Sequence, residues 1–101
     1  MNKYLSFLGL ARRAGALSLG GNLTEAAVKQ GKVLLVILAD DASENTKDRF
    51  RTTSQNSRYT VTEVPFLMEE LGKATGKSDI SVIGVTDAGF AKKLKELAMV
   101  M

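Results

Sequence analysis

The sequence predicts an α/β fold, a three-layer α/β/α sandwich around a mixed four-stranded sheet. Helical and strand patterns alternate along the 101 residues. The run 33–39 is apolar on both faces, which is expected for a central strand covered by helices on both sides. The hydrophobic fraction of 45% and the charged fraction of 25% are those of an ordinary folded globule. We therefore expect one domain, residues 1–101, with one core.

The first helix and the first strand are predicted before residue 20. Apolar residues recur at helical spacing from Tyr4 to Ala11, and Gly15 stands where that helix is expected to end. Residues 16–19 follow as a short apolar segment, which predicts a strand.

A second helix is predicted over residues 22–30, directly after a pair of glycines. Asn22 is a residue that commonly caps helices, and Glu25 three positions later can reach back to it, a variant of the capping box. Gly31 is expected to end the helix.

The middle of the chain predicts the central strand and a third helix. The apolar run 33–39 has the length of a strand and is too short to span a membrane. Ser43 is the expected cap of a helix that runs to about Ser54, with Phe50 as its buried anchor.

The remaining sequence predicts two more strands and two more helices. Residues 59–64 alternate between polar and apolar, which favours an outer strand. Pro65 suits the start of a helix that Gly72 would end. Residues 80–85 predict a second buried strand, and Asp87 is the expected cap of the last helix.

Missing residue types restrict the function more than those that are present. With no Cys and no His, the chain can form no disulfide, no Cys/His zinc site, no thiolate nucleophile and no imidazole base. A signal peptide is not indicated at residues 1–10, so we expect a cytoplasmic protein. These exclusions make an enzyme a poor expectation.

The positive charge is concentrated in the N-terminal part. Residues 1–39 hold five basic residues against Glu25 alone, a balance of +4, while residues 40–101 hold nine basic and ten acidic residues, a balance of −1. This asymmetry suits an anionic partner bound on one side, although an ordinary solvated face would give the same excess.

Gly20, Gly21 and Asn22 form the candidate binding turn. A glycine-rich helix start exposes backbone N–H groups to an anion, and an Asn amide can both donate to and accept from a base edge. The same residues would also serve as a tight turn and a helix cap, and the two roles are compatible. The nucleotide-binding motifs G-x-G-x-x-G and G-x-x-x-x-G-K-[ST] are absent.

Two groups of cations are candidates for phosphate contact. Arg12 and Arg13 stand at a helix C-terminus, where they also favour the helix dipole, and adjacent residues point in different directions, so one of them is expected to face a ligand. Lys47 and Arg51 share a helix face and form either a phosphate-binding stripe or a solvated face.

Asp40 and Asp41 follow the central strand and are the best candidates for catalysis. Paired carboxylates at a strand end can hold Mg²⁺ or accept a phosphoryl group. A turn or a helix cap is the structural alternative for Asp41.

Three sequence blocks carry a family resemblance. They are LGLARRAG at residues 8–15, GKVLLVILADDASENT at 31–46 and VTDAGFAKKL at 85–94, with Gly20 and its helix between the first two. Together they resemble the ribosomal protein superfamily that includes the archaeal large-subunit proteins 7Ae and 30e, binders of kink-turn RNA. The bacterial YlxQ-like branch is the closest match.

The resemblance implies an RNA-binding protein without enzymatic activity. The family's motif G-x-N-E-x-x-K at the second helix contacts sheared G·A pairs and the flanking backbone, assisted by an acidic residue after the buried strand and by a loop before the last strand. Gly20 and Asn22 match this motif, whereas Leu23 replaces its Glu and Ala26 replaces its Lys.

We predict a monomer that binds structured RNA, kink-turn-like or ribosomal, with no cofactor, no metal, no membrane and no small-molecule substrate. The alternatives are a Mg²⁺-dependent or phospho-acceptor domain using the two aspartates, and a protein-interaction module using helix faces. The predicted RNA-binding residues are Arg12, Arg13, Gly20, Gly21, Asn22, Lys29, Lys32, Asp41, Lys77 and Ser78.

Overall fold

A computed structural model describes residues 2–54 and 58–101, and within these ranges five α-helices alternate with four β-strands. None of these helices has the length and apolar content needed to cross a membrane. The elements are α1 Lys3–Arg13, β1 Leu17–Leu19, α2 Gly21–Lys29, β2 Leu35–Leu38, α3 Glu44–Ser54, β3 Thr60–Glu63, α4 Met68–Thr75, β4 Val82–Val85 and α5 Ala88–Met99.

The four strands form one mixed sheet in the order β1-β4-β2-β3. β2 pairs in parallel with β3, and β4 is antiparallel to both β2 and β1. The two strands predicted to be buried, β2 and β4, are therefore central, and each of their residues is buried. β3 lies at an edge, as its alternating pattern predicted, and β1 forms the opposite edge.

Helices cover both faces of the sheet, which confirms the three-layer prediction. Leu35 and Ile37 of β2 pack in one core cluster with α1, α4 and α5. Val36 and Leu38 point the other way and pack in a second cluster with Ala27 of α2 and other residues of α2 and α3. A strand that is apolar on both faces thus buries both of them, as the pleat requires.

Several helix ends follow the predicted capping chemistry. Ser43 Oγ accepts from Thr46 N at 3.2 Å, and Asp87 Oδ1 accepts from Phe90 N at 2.9 Å. Gly31 has a φ of +71° directly after α2, the left-handed conformation common at helix ends.

The predicted Asn22 cap is wrong, because α2 begins one residue earlier. Gly20 is the capping residue, with a φ of +94° that favours glycine, and its backbone N donates to Val82 O at 2.9 Å. This bond to β4 fixes the chain so that Asn22 lies inside the first turn with its side chain exposed. Glu25 does not reach back to it and instead pairs with Arg49 and Lys29.

Both predicted ends of α4 are also wrong. Pro65 does not start the helix, because the chain continues beside β2 as far as Phe66, whose carbonyl accepts from Asp40 N at 2.9 Å. Gly72 does not stop it either. The helix continues to Thr75 and ends at Gly76, which has a φ of +78°.

Gly72 instead permits a close approach of two backbone segments. A Cβ added at Gly72 would lie 2.2 Å from Ser78 O, so the loop after α4 can pack against the helix only if this residue lacks a side chain. Lys77 N also donates to Gly72 O at 2.8 Å. This glycine therefore positions the loop over residues 76–79.

A second close approach fixes α2 on the sheet. Thr24 is fully buried, and its Oγ1 donates to Ser18 O at 3.1 Å. A Cβ added at Gly84 of β4 would lie 2.9 Å from Thr24 Cγ2 and 3.4 Å from Val33 Cγ2. The absence of a side chain at Gly84 thus sets how close α2 comes to β4.

We expect Gly84→Ala to lower the free energy of unfolding by about 1–3 kcal/mol, because the added methyl group overlaps Thr24 in a closely packed core. Urea denaturation measures the change. Thr24→Ser removes Cγ2 and keeps the hydroxyl. It should therefore lower the free energy of unfolding less in the Gly84→Ala background than in the wild type. Additive effects of the two substitutions would contradict this account of the contact.

Candidate functional site

Three loops meet at one end of the strands of the sheet, and the start of α2 lies there. Gly20 N bonds to Val82 O at the beginning of β4, and Ala39 N bonds to Ser81 O at 3.0 Å. The glycine turn, the aspartates after β2 and the segment before β4 are therefore neighbours. A Cβ added at Gly20 would meet no protein atom within 4 Å, so this turn faces open space.

A groove of about 560 Å³ lies between the edge strand β1 and the helix α2. Its lining combines polar and apolar residues, with Leu17, Leu19, Leu23 and Ala26 among the apolar ones. The cations at the groove are Arg12 from the end of α1, Lys32 from the segment after α2, and Lys77 from the loop after α4. Three separate elements thus bring positive charge to a single concave surface.

The two adjacent arginines of α1 lie in different places, as predicted. Arg12 borders the groove, and its guanidinium Cζ lies 3.8 Å from where a Cβ on Gly76 would be. Arg13 does not border the groove, and its Nη1 lies 4.0 Å from the corresponding position on Gly9. The structure therefore places Arg12 at the groove and Arg13 outside it.

The other predicted residues do not border the groove. Asn22 is exposed at the first turn of α2. Lys29 is exposed, and its Nζ lies 3.8 Å from Glu25 Oε1. An exposed ion pair of this kind contributes little to the stability of the fold. Ser78 is exposed, with its carbonyl packed against Gly72.

Asp41 has a structural role in this fold. Its Oδ1 accepts from Met68 N at 2.8 Å and so satisfies the first free N–H of α4. The neighbouring Asp40 is exposed, and its carbonyl accepts from Lys47 Nζ at 2.9 Å. Within residues 2–54 and 58–101, no group of three or more Cys, His, Asp or Glu residues is arranged to hold a metal ion.

Lys47 and Arg51 do not form a phosphate-binding stripe, and of the two only the Arg51 side chain is partly solvated. Lys47 is buried and lies 3.1 Å from Glu63 Oε1, and Arg51 hydrogen-bonds the other oxygen of the same carboxylate. These two hydrogen bonds, first that of Arg51 and then that of Lys47, hold the pKa of Glu63 below its ordinary value. The ion pairs join α3 to the end of β3.

Arg49 lies near the glycine turn, although no sequence pattern indicates that position. Its Nε lies 3.3 Å from Glu25 Oε2, and its Cζ lies 4.8 Å from the centre of the Phe50 ring. A Cβ added at Gly21 would lie 2.8 Å from Arg49 Nη2. The contact joins two different helices, so no local spacing in the sequence indicates it.

A family model described as the ribosomal protein L7Ae/L30e/S12e/Gadd45 family matches residues 2–95. The chain belongs to this family. Within it the chain falls in the YlxQ-like branch. It is 41% identical over 95 residues to the RNA-binding protein YlxQ of Enterococcus faecium, an alignment that covers 94% of this chain and 90% of the relative. It is 35% identical over 99 residues to the RNA-binding protein YlxQ of Bacillus subtilis (strain 168), covering 94% of each.

Solved structures show the same L7Ae-type fold. A protein of unknown function from Bacillus halodurans C superposes with a TM-score of 0.91 at 41% identity, covering 98% of this chain and 99% of that one. The 15.5kD RNA binding protein of Giardia lamblia superposes with a TM-score of 0.76 at 19% identity, covering 95% and 82% of the two chains. The second likeness concerns the fold alone.

The two departures from the L7Ae-type motif lie on the groove side of α2. Leu23 and Ala26, which stand where the motif has Glu and Lys, both border the groove. Leu23 is 64% exposed, a large value for a leucine. The groove is therefore more apolar along α2 than the motif implies.

We expect Asp41→Ala to lower the free energy of unfolding by about 0.5–2 kcal/mol, since it removes the acceptor at the first turn of α4. Asp41→Asn keeps an oxygen at that position and should retain most of the stability. Thermal unfolding with and without Mg²⁺ provides the measurement. Stabilisation of the wild type by Mg²⁺ that is lost in Asp41→Ala would instead support a metal site.

We expect the stabilising effect of Glu63 to depend on pH. A carboxylate whose pKa is lowered in the folded state stabilises it above the ordinary pKa, and this contribution is lost as the pH falls through the folded-state pKa. Glu63→Gln should therefore melt below the wild type near neutral pH, with the gap closing as the pH is lowered from neutral through the folded-state pKa. Thermal melts across that range measure the gap, and a constant gap would contradict the ion-pair explanation.

Proposed function

We propose that this protein binds structured RNA, of a kink-turn-like or ribosomal kind, through the groove between β1 and α2 and the adjoining turn over residues 20–22. The cationic groove carries the proposal, because Arg12, Lys32 and Lys77 converge there from three elements. The names of the relatives support it. Two are RNA-binding proteins, and a third is the large ribosomal subunit protein eL30 of Sulfurisphaera tokodaii, 35% identical over 86 residues.

In this proposal, the cations bind the phosphate backbone. Side chains of Arg and Lys that reach phosphates fix the register and orientation of a nucleic acid but do not read its sequence. Arg12, Lys32 and Lys77 provide the central contacts, while Arg13 and Lys29 contribute charge from the margin. Ser78 adds a hydroxyl next to Lys77.

The glycine turn brings the RNA close to the start of α2. Gly20 faces open space, so the backbone there is accessible to an RNA strand. Asn22 projects into solvent from the first turn, where its amide can donate to and accept from the edge of an unpaired base. With Leu23 and Ala26 in place of charged residues, Asn22 supplies most of the polar base contact that α2 offers.

The role we propose is binding rather than catalysis. Asp41, the better candidate for a phospho-acceptor, has its carboxylate engaged with the first N–H of α4. Its contribution to the RNA interface is therefore to hold α4, and with it the loop that bears Lys77.

A gel-shift titration of a kink-turn RNA and a straight duplex across a salt series tests the proposal. We expect binding that weakens steeply with salt, since each neutralised phosphate releases counterions. The double variant Arg12→Gln, Lys77→Gln should weaken binding to both RNAs and reduce the salt slope by about 1–2. The matched control is the double variant Lys92→Gln, Lys95→Gln, which alters exposed residues of α5 that do not border the groove.

Asn22→Ala separates recognition of the kink from general RNA binding. It should weaken kink-turn binding by about 10- to 100-fold and duplex binding much less, with thermal stability unchanged because Asn22 is not the cap of α2. An equal loss of affinity for both RNAs would contradict the base contact assigned to Asn22. No binding of either RNA by the wild type at low salt would overturn the proposed function itself.

A further inference from the structure

Arg49 is held in place on the side of α2 that faces away from the groove. It comes from α3, and three contacts restrict its guanidinium. Glu25 Oε2 lies 3.3 Å from its Nε, the Phe50 ring lies 4.8 Å from its Cζ, and Nη2 lies over the backbone of Gly21. These contacts place the Arg49 guanidinium beside the glycine turn.

The contacts leave the outer part of the guanidinium available. Glu25 engages Nε, and neither Nη atom donates a hydrogen bond to another residue within 2–54 and 58–101. The side chain remains 43% exposed. Lys47, on the same helix, differs because it is buried against Glu63 and the Asp40 carbonyl.

We propose that Arg49 is a phosphate-binding residue for the same RNA, and that Glu25 is the positioning residue that orients it. The proposal rests on the proposed RNA-binding function and extends that interface from α2 onto α3. The planar guanidinium matches a phosphate with two parallel N–H groups, and both of its Nη atoms are available for this. The ligand is therefore a phosphodiester of the RNA backbone.

The location of Arg49 agrees with this role. Along α2, Leu23 and Ala26 border the groove, while Gly21 and Glu25 contact Arg49. An RNA strand that crosses the turn over residues 20–22 therefore meets groove cations on one side of α2 and Arg49 on the other. The lack of a side chain at Gly21 is what allows Arg49 to lie this close to the turn.

Substitution of Glu25 tests the proposal, because the change in RNA affinity that it predicts is opposite to the change that simple electrostatics predicts. A carboxylate beside an RNA-binding surface repels phosphate, so removing it should tighten binding if it does nothing else. If Glu25 orients Arg49, then Glu25→Ala weakens binding, because the guanidinium loses its fixed position. As an exposed ion pair, Glu25 and Arg49 contribute little to folding, so both variants should remain folded.

The experiment measures the affinity for the kink-turn RNA of Arg49→Ala, Arg49→Lys, Glu25→Ala and the double variant Arg49→Ala, Glu25→Ala. We expect roughly tenfold weaker binding for Arg49→Ala, with a smaller salt slope, and partial retention for Arg49→Lys, which keeps the charge but not the paired N–H groups. Glu25→Ala should weaken binding in the wild type and fail to do so once Arg49 is absent. Lys95→Ala on α5 is the control for loss of one positive charge.

Three outcomes separate the hypotheses. Wild-type binding that Arg49→Ala leaves unchanged would overturn the role of Arg49 and leave the proposed RNA-binding function intact. Tighter binding by Glu25→Ala would overturn the positioning role of Glu25. Absence of wild-type binding would overturn the proposed function and, with it, this inference.

Discussion

The close packing of Thr24 against Gly84 determines where α2 lies, and the candidate interface depends on that position. Thr24 is a fully buried residue of α2, and its hydroxyl donates to the carbonyl of Ser18 on β1. Its methyl group occupies the space that a side chain at Gly84 of β4 would fill. One residue therefore joins the helix to the strand that forms the other side of the groove. The position of α2 relative to β1, and with it the groove between them, therefore depends on this contact.

A second glycine has the corresponding role for the loop that bears Lys77. Because Gly72 has no side chain, the Ser78 carbonyl can pack directly against α4, and Gly76 then turns the chain beside Arg12. Lys77 and Arg12 reach the same groove although they are far apart in the sequence. The backbone contact at Gly72, which would not tolerate a larger residue, thus helps to bring the positive charges of the groove together.

The sequence predicted the elements whose signal is periodic and failed where the signal depends on a distant partner. Apolar runs on both faces correctly identified β2 and β4 as central strands, because burial imposes that pattern on any such strand. The Asn22 cap failed because a hydrogen bond from Gly20 to β4 fixes the start of α2. Gly72 was expected to be a stop signal, since nothing local distinguishes a helix end from a glycine that admits a neighbouring backbone.

The same reason explains which parts of the candidate site could be predicted. The glycine turn and Arg12 are local features, and both lie in the parts of the sequence that carry the family resemblance. Long charged side chains, however, can pair with acidic residues on several elements. Lys47 pairs with Glu63 of β3, whereas Arg49 pairs with Glu25 of α2. Their roles depend on which acidic residue the fold brings near, and the sequence gives no spacing for a contact between helices.

The balance between phosphate and base contacts determines what the proposed interface can distinguish. Phosphate contacts supply affinity that does not depend on sequence, and base contacts supply specificity. Along α2 this chain has Leu23 and Ala26 at the motif's charged positions, which leaves Asn22 as the main polar group facing a base. In the proposed interface, discrimination then depends on the Asn22 contact together with RNA shape, because the phosphates must reach the groove cations and Arg49 on different sides of one helix. In such an interface the rigid placement of α2 contributes to specificity as directly as any hydrogen bond to a base.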